Sequence, residues 1–434
     1  MVKEGYRNTS IGVIPNDWKV ERLSDVGKVT GGNTPRRSTD EYWGGDIPWL
    51  TPSQLTGKLI NEISETDEYI TEKGFENSSV KLLPPGTVIM SSRATIGETV
   101  INKVPLTTNQ GFANIICDEN KVYNYYLLYL LRYITPSLEA LAGGSTFLEI
   151  SRTNVRSVNI PLPPLPEQKK IASILSSVDK SIEKTSEVIG KTKELKKGLM
   201  QKLLTKGIGH SEFKEVTVGP FEINVPKEWE VLEFKDVLDS LKSGLSRRLQ
   251  SEDVGVPVIR STNMVDGKIN FEDIKYWYWD DPKGANVENY LLKDGDILVN
   301  FINSMAHIGK ACIYRDMGRK AIYTTNVFRT RVNKDTIRNI YFFYYTQSNQ
   351  YQKEIERISK QAVNQASFTT GDFKNIFIPV PPIKEQEKIA SILSSVDAKI
   401  KKEEEYKAKL ERLKKGLMQK LLTGEIRVNT EMEV

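Results

Sequence analysis

Apolar residues spaced at three and four mark out two long stretches of this chain. Ile171, Ile174, Leu175, Val178, Ile182, Ile189, Leu195, Leu199 and Leu203 fall on one stripe, and Ile389, Ile392, Leu393, Val396, Ile400, Leu410, Leu413, Leu417 and Leu421 fall on another. That period is helical, so each stretch reads as one long amphipathic α-helix. Pro166 is harmless in a first turn, and Glu167 suits the positive end of the helix dipole. Gly207 and Gly424 follow Thr205 and Thr423 as stop signals. Some 38 residues at about 1.5 Å each make a rod of roughly 55 Å. A rod with one apolar stripe needs a partner stripe, and the nearest is the other rod. Thr185, Ser186 and Thr192 interrupt the first stripe and Glu403 the second. The expectation is a two-helix antiparallel coiled coil, locally loosened, with apolar surface left over for another protein.

The two rods are copies of each other. Residues 163–205 align without a gap on 381–423, with roughly 29 of 43 positions identical, and both close on Leu-Lys-Lys-Gly-Leu-Met-Gln-Lys-Leu-Leu-Thr. The duplication extends beyond them. Ile14-Pro15-Asn16-Asp17-Trp18 is matched by Val225-Pro226-Lys227-Glu228-Trp229, so a globular segment of about 150 residues precedes each rod. The order is globule, rod, globule, rod.

Within the globules, short apolar runs and turn glycines correspond. Ile47-Pro48-Trp49-Leu50 pairs with Val256-Pro257-Val258-Ile259, Ile96-Gly97 with Ile308-Gly309, and Thr108-Asn109 with Thr325-Asn326. These read as strands and tight turns of one mixed fold, giving an α+β class overall. An aromatic-rich helix is expected at Tyr123 to Arg132 and again at Ile340 to Gln347, its stripe read as core. The intervening segments differ between the copies. Near-identical rods suggest equal docking surfaces for two copies of one partner. Globules that share a scaffold but vary in loop chemistry suggest two related, unequal targets.

Bulk properties narrow the class. At 434 residues the chain is long enough for about two to three domains. With 39% hydrophobic and 27% charged residues it is globular, not disordered, and its net charge of +5 argues only weakly for a polyanionic partner. Cys117 and Cys312 are far apart with no ligand-spaced histidine beside them, which points to a reducing compartment and away from a disulfide frame or structural zinc. The N-terminus has no apolar signal core, and no run approaches the roughly 20 residues of a membrane span. A cytoplasmic protein is expected.

Catalytic motifs are missing. No Gly-rich loop ends in Gly-Lys-Ser or Gly-Lys-Thr, and no Asn/Asp-Pro-Pro-Tyr/Phe methyltransferase signature occurs. No cofactor site is expected. His210 reads as a surface linker histidine, and His307, in a turn before Ile308-Gly309, could reach a phosphate or base. Positive signals favour nucleic acid. Gly- and Ser/Thr-rich turns carry Arg36-Arg37 near the start of one globule and Arg247-Arg248 near the start of the other, suited to phosphates and guanine edges. Thr34, Arg93, Asn109, Gln110, Arg260, Asn263, Asn303 and Asn326 complete the candidate DNA-binding set, while Lys81, Lys103 and Lys310 read as general surface charge.

At this point the chain resembles the specificity subunits of type I restriction-modification enzymes, over essentially its whole length. The resemblance rests on Pro-Leu-Pro-Pro-Leu-Pro-Glu-Gln-Lys-Lys-Ile-Ala at 161–172 with its copy at 379–390, on the shared rod endings at 196–205 and 414–423, and on the Pro-x-x-Trp openings. Gly-Gly-Asn-Thr-Pro at 31–35 and Glu-Tyr-Trp-Gly-Gly-Asp-Ile-Pro-Trp at 41–49 add to it. The second globule departs from it, with Ser243-Gly244-Leu245-Ser246 in place of the Gly-Gly-Asn-Thr-Pro turn. The resemblance implies two mixed α/β target recognition domains, 1–162 and 208–380, with conserved helices at 163–207 and 381–424 and a tail at 425–434, all under a pseudo-twofold duplication. It implies double-stranded DNA with a bipartite asymmetric site as target. It also implies two methyltransferase subunits, which would bind S-adenosylmethionine, and two ATP-dependent restriction subunits as partners, with no catalysis by this chain. A stand-alone DNA-modifying enzyme and a coiled-coil protein scaffold are the rival readings.

Overall fold

Strand residues that alternate between two apolar clusters build the sheets of this protein, a computed structural model of which describes residues 3–58, 60–143, 148–363 and 365–430. Met1 and Val2 of the N-terminus and 431–434 of the expected tail lie outside the described residues. The chain divides into two compact units: Met1–Glu187 with Glu405–Val434, and Val188–Glu404. Each therefore holds one globule, the first half of one rod and the second half of the other.

In the first unit a five-stranded sheet runs in the order Gly27–Gly31, Phe112–Cys117, Val88–Ser91, Thr99–Asn102, Glu62–Ile63, antiparallel except for the last, parallel pair. Val88, Met90, Ile101, Ala113 and Ile115 join the cluster under the aromatic helix, while Ile89, Val100 and Phe112 join the cluster on the opposite face. Period-two alternation with both faces covered explains why Val88–Ser91 and Thr99–Asn102 are buried throughout. The aromatic helix spans Asn124–Tyr133 and buries Tyr126 through Leu131, as core. A smaller three-stranded sheet, Thr107–Thr108, Trp43–Leu50 and Glu68–Ile70, stands apart from the main one.

The second unit repeats the plan. Leu238–Ser243, Val327–Val332, Ile297–Asn300 and Ala311–Ile313 form an antiparallel four-stranded sheet, and Lys275–Trp277, Val256–Ile259 and Ile322–Tyr323 form the small one. Here the aromatic helix is Asn339–Tyr345, and its Phe342 and Tyr345 pack against Phe234. The ladders correct one expected correspondence. Thr108 lies beside Leu50 as Tyr323 lies beside Ile259, so Thr108-Asn109 matches Tyr323-Thr324 and not Thr325-Asn326.

The rods are single helices, Leu165–Lys206 and Ile383–Leu422. They pack antiparallel within each unit. In the first, Ile171 and Leu175 share a core with Leu417, Leu421 and Leu422; in the second, Leu203 and Leu204 share one with Ile389 and Leu393. The expected interruptions at Thr185 and Thr192 are buried in the seam. Their hydroxyls donate back to the Ser181 and Val188 carbonyls, at 2.7 Å each, so neither leaves an unsatisfied polar group. Leu195 and Leu413, expected on the stripe, are instead 56% and 51% exposed. The next residues, Lys196 and Lys414, take the inward positions because each ammonium meets an aspartate there. No helix among the described residues is long and apolar enough to cross a membrane.

Candidate nucleic-acid interface

Each unit carries a glycine-led loop pressed against the short parallel strand of its small sheet. A Cβ on Gly32 would lie 2.1 Å from the Thr108 carbonyl oxygen, and one on Gly244 would lie 2.2 Å from that of Tyr323, so only glycine fits at either place. The next residue then donates its amide: Asn33 to the Thr108 carbonyl and Leu245 to the Tyr323 carbonyl, both at 2.9 Å. Counted from these matched glycines, Arg36 stands where Arg248 stands. Both side chains are exposed, and neither guanidinium has a hydrogen-bond or ion-pair partner among the described residues.

Their neighbours are engaged. Arg37 makes a two-pronged ion pair with Glu68, its second nitrogen at 2.9 Å, and its guanidinium lies 3.9 Å from the Trp43 ring and 4.7 Å from the Trp49 ring. The Glu68 partner raises the Arg37 pKa, and Arg37 in turn lowers that of Glu68. Both indoles also hold the loop, Trp49 Nε1 donating to the Asn33 carbonyl at 3.0 Å and Trp43 Nε1 to that of Arg36 at 3.3 Å. In the second unit, Arg247 donates to both oxygens of Asp281, a carboxylate sealed from solvent that also accepts the Lys283 and Ala285 amides at 3.1 and 3.0 Å. Those donors, Arg247 first, hold the Asp281 carboxyl far below the usual range.

The remaining candidates divide in the same way. Thr34 donates to Gln110 Oε1 at 2.5 Å, and Asn109 accepts the Gly111 amide at 2.8 Å, which gathers these three at one loop edge. The turn bearing Arg93 adjoins them, the Ser92 amide donating to the Gly111 carbonyl, while Arg93 itself pairs with Glu149 at 2.8 Å. Asn303 and Asn326 flank Phe301, whose amide donates to the Asn326 carbonyl; the Asn303 side chain accepts the Ser304 amide. Arg260 pairs with Asp273 at 2.7 Å. Asn263 is a correction: it is buried, and its amide bonds to Asn270 and to the backbones of Arg260 and Asp273, so it shapes a turn and presents nothing outward. Arg247 is closed over Asp281, its side chain 17% exposed. Lys81 is exposed, as a surface charge should be, and donates to Thr30 at 2.9 Å.

Sequence reasoning missed Glu68 and Asp281, which lie 31 and 34 residues beyond the arginines they grip. Tyr278 and Trp279, an exposed pair with Lys320 5.8 Å above the latter ring, were not among the candidate DNA-binding residues either. Among the aromatic pairs, Trp43 and Trp49 were visible as a motif but not as clamps.

The duplicated rod motif has its own geometry. Glu167 accepts Trp18 Nε1 at 3.0 Å, and Glu385 accepts Trp229 Nε1 at 3.0 Å. Gln168 and Gln386 each cap the chain entering the aromatic helix, accepting the Tyr123 and Arg338 amides at 2.7 and 2.8 Å. Arg427 closes the first of these nodes on Glu167 and Asp17. His210 closes the second on Glu385 at 2.9 Å, and with its ring only 14% exposed it is no surface linker histidine. His307 is exposed, its Nδ1 3.2 Å from Lys310 Nζ.

A family model described as the type I restriction modification DNA specificity domain matches residues 15–191 and again 226–412. The MjaIX type I restriction enzyme specificity subunit of Methanocaldococcus jannaschii is 31% identical, over 98% of this chain and 96% of its own length. The EcoKI specificity subunit of Escherichia coli is 21% identical over 96% and 91%. Among solved structures, a chain of a type I R-M system aligns with TM-score 0.59 at 20% identity over 95% of this chain and 99% of its own. A type I S subunit from M. genitalium aligns at 0.57 and 15% identity over 93% and 96%. These two structures share the fold.

Proposed function

Because the chain belongs to the type I restriction modification DNA specificity family, we propose that its two units read the two unequal parts of an asymmetric, bipartite site in double-stranded DNA. The observation that carries this reading is the pair of glycine-led loops. Both present, at the same position, one arginine without a partner among the described residues, yet the side chains around them differ, as two related but unequal half-sites require. Thr34, Gln110 and Asn109 beside Arg36, and Tyr278 and Trp279 in the unit of Arg248, are the side chains proposed to add sequence preference.

The chain is proposed to act without catalysing. In this reading it docks two methyltransferase subunits, which bind S-adenosylmethionine, and two ATP-dependent restriction subunits, in the cytoplasm where the DNA is. The equal rod surfaces, including Leu195 and Leu413 at matched exposed positions, support two equal docking sites for one partner.

Co-expression with the methyltransferase partner followed by genome-wide mapping of methylated bases tests the reading. A single two-part asymmetric motif is expected. Methylation or cleavage by the purified chain alone, supplied with DNA, Mg²⁺, ATP and S-adenosylmethionine, would replace it with an enzymatic role. DNA methylated without any motif would replace it with a scaffold role.

A further inference from the structure

The two arginines of each loop are not equivalent, and the outward one falls at the same position in both units. Arg36 and Arg248, at equal distance from Gly32 and Gly244, point into solvent without partners among the described residues. Arg37, on one side of that position, is held by Glu68 and by two indoles; Arg247, on the other side, is held by Asp281. The anchor has thus been supplied from opposite directions along the chain, while the outward arginine has stayed put.

We propose that Arg36 and Arg248 are the DNA-contacting members of the two pairs, and that Arg37 and Arg247 are positioning residues that fix the loops by gripping Glu68 and Asp281. This rests on the DNA-recognition reading above. A phosphate could take Arg247 only by stranding the Asp281 carboxylate, which has no solvent access, and the loop turn built on Lys283 and Ala285 would lose its cation. Arg37 is more open, but its donors already face both oxygens of Glu68 and its plane is occupied by Trp43. The indole bonds to the Asn33 and Arg36 carbonyls leave the backbone on both sides of the Arg36 side chain fixed in advance, which lowers the ordering cost of a contact made there.

The test uses the full chain in complex with its methyltransferase partner and DNA carrying the mapped motif, with affinity measured across salt concentrations. R36A and R248A should each weaken binding about 10-fold and reduce the slope of log K against log salt by about 0.9, one phosphate contact each. E68Q and D281N should also weaken specific binding, about 5-fold, with the slope unchanged, and R37A combined with E68Q should lose no more than either alone. Each variant should affect only its own part of the site, a selectivity that general loss of folding does not produce. If Arg37 or Arg247 were itself the contact, releasing it from its carboxylate would leave binding equal or tighter, and that result overturns the proposal. So does an unchanged affinity and slope in R36A and R248A. Glu68 and Arg248 lie at the surface, so E68Q and R248A decide the matter even where D281N fails to fold. A wild-type complex without sequence preference would instead overturn the DNA reading on which the proposal stands.

Discussion

Asp179 of the first rod and Lys414 of the second meet at 2.6 Å, and their repeat counterparts Asp397 and Lys196 meet at 2.7 Å. Tyr129 donates to Asp179 at 2.7 Å and Tyr344 to Asp397 at 2.8 Å, so each aromatic helix is tied to the rods through the same aspartate. The matched registers mean that each unit holds its own antiparallel rod segment independently. Lys414→Met leaves a largely buried carboxylate supported, among the described residues, only by Asn61 and Tyr129, and should lower stability by about 2–4 kcal/mol in urea unfolding. Because the lost pair is shared, adding Asp179→Asn should cost much less than the sum of the two single changes.

The same aspartate predicts a pH dependence. Burial alone would raise the Asp179 pKa, but donation by Lys414, Asn61 and Tyr129 brings it below the ordinary carboxylate value. A depressed folded-state pKa stabilises fully above the unfolded value, about 3.9, and that stabilisation disappears as pH falls through the folded one. In Lys414→Met the effect of burial on the Asp179 carboxyl is left without its main opponent. The stability gap between wild type and variant should therefore be widest near neutral pH and shrink towards pH 3, followed by urea midpoints across that range.

The two nodes at the rod starts differ in what closes them. Glu167 is 3% exposed and receives Trp18 and Arg427, while Glu385 receives Trp229, His210 and also the Ile208 amide at 2.9 Å. Arg427→Ala removes the cation from a buried carboxylate and should destabilise by roughly 2–3 kcal/mol; His210→Ala leaves two donors in place and should cost about 1 kcal/mol. Equal losses in thermal unfolding would mean that the nodes do not work as their bonding implies.

How much of this was legible in the chain depends on separation. Helical period and a gapless duplication expose the rods, because every stripe position lies within a few residues of the next. Strand pairs such as Ile47–Leu50 and Val256–Ile259 were visible as matched short runs. The inward turn of Lys196 and the outward turn of Leu195 were not, since an apolar period cannot register that Asp397 waits opposite. The grip of Arg247 on Asp281 joins residues in different loops, and no local pattern distinguishes that arginine from Arg248. The register slip at Thr108 has the same origin: Thr325-Asn326 is the better match in letters, and Tyr323-Thr324 the one in hydrogen bonds.

Gly32 and Gly244 offer a separate handle on the loops. Neither has an unusual φ to relieve; the obstacle is the carbonyl oxygen that a methyl group would strike. Gly32→Ala should push the Arg36 loop off the Thr108 strand, at about 1–3 kcal/mol, and Gly244→Ala should do the same beside Tyr323. Methylation mapped on paired sites should then relax at one part of the motif for each variant, a different part in each.

Both rods run unbroken from one unit into the other, and the clamps at Asp179–Lys414 and Lys196–Asp397 each lie inside a single unit. Residues added between the clamps leave both of them intact, provided that the two helices grow together. Seven residues inserted after Glu187 and seven after Glu404 return the stripe to nearly its original direction, drifting by about 20°, and add about 10.5 Å of helix. At about 3.4 Å per base pair that is roughly three base pairs of duplex. The mapped motif should keep both its parts and lengthen its unspecified spacer by about that number, whereas an insertion in one rod alone should unfold or inactivate the complex. An unchanged spacer in the doubly lengthened chain would mean that the rods do not set the distance between the half-sites.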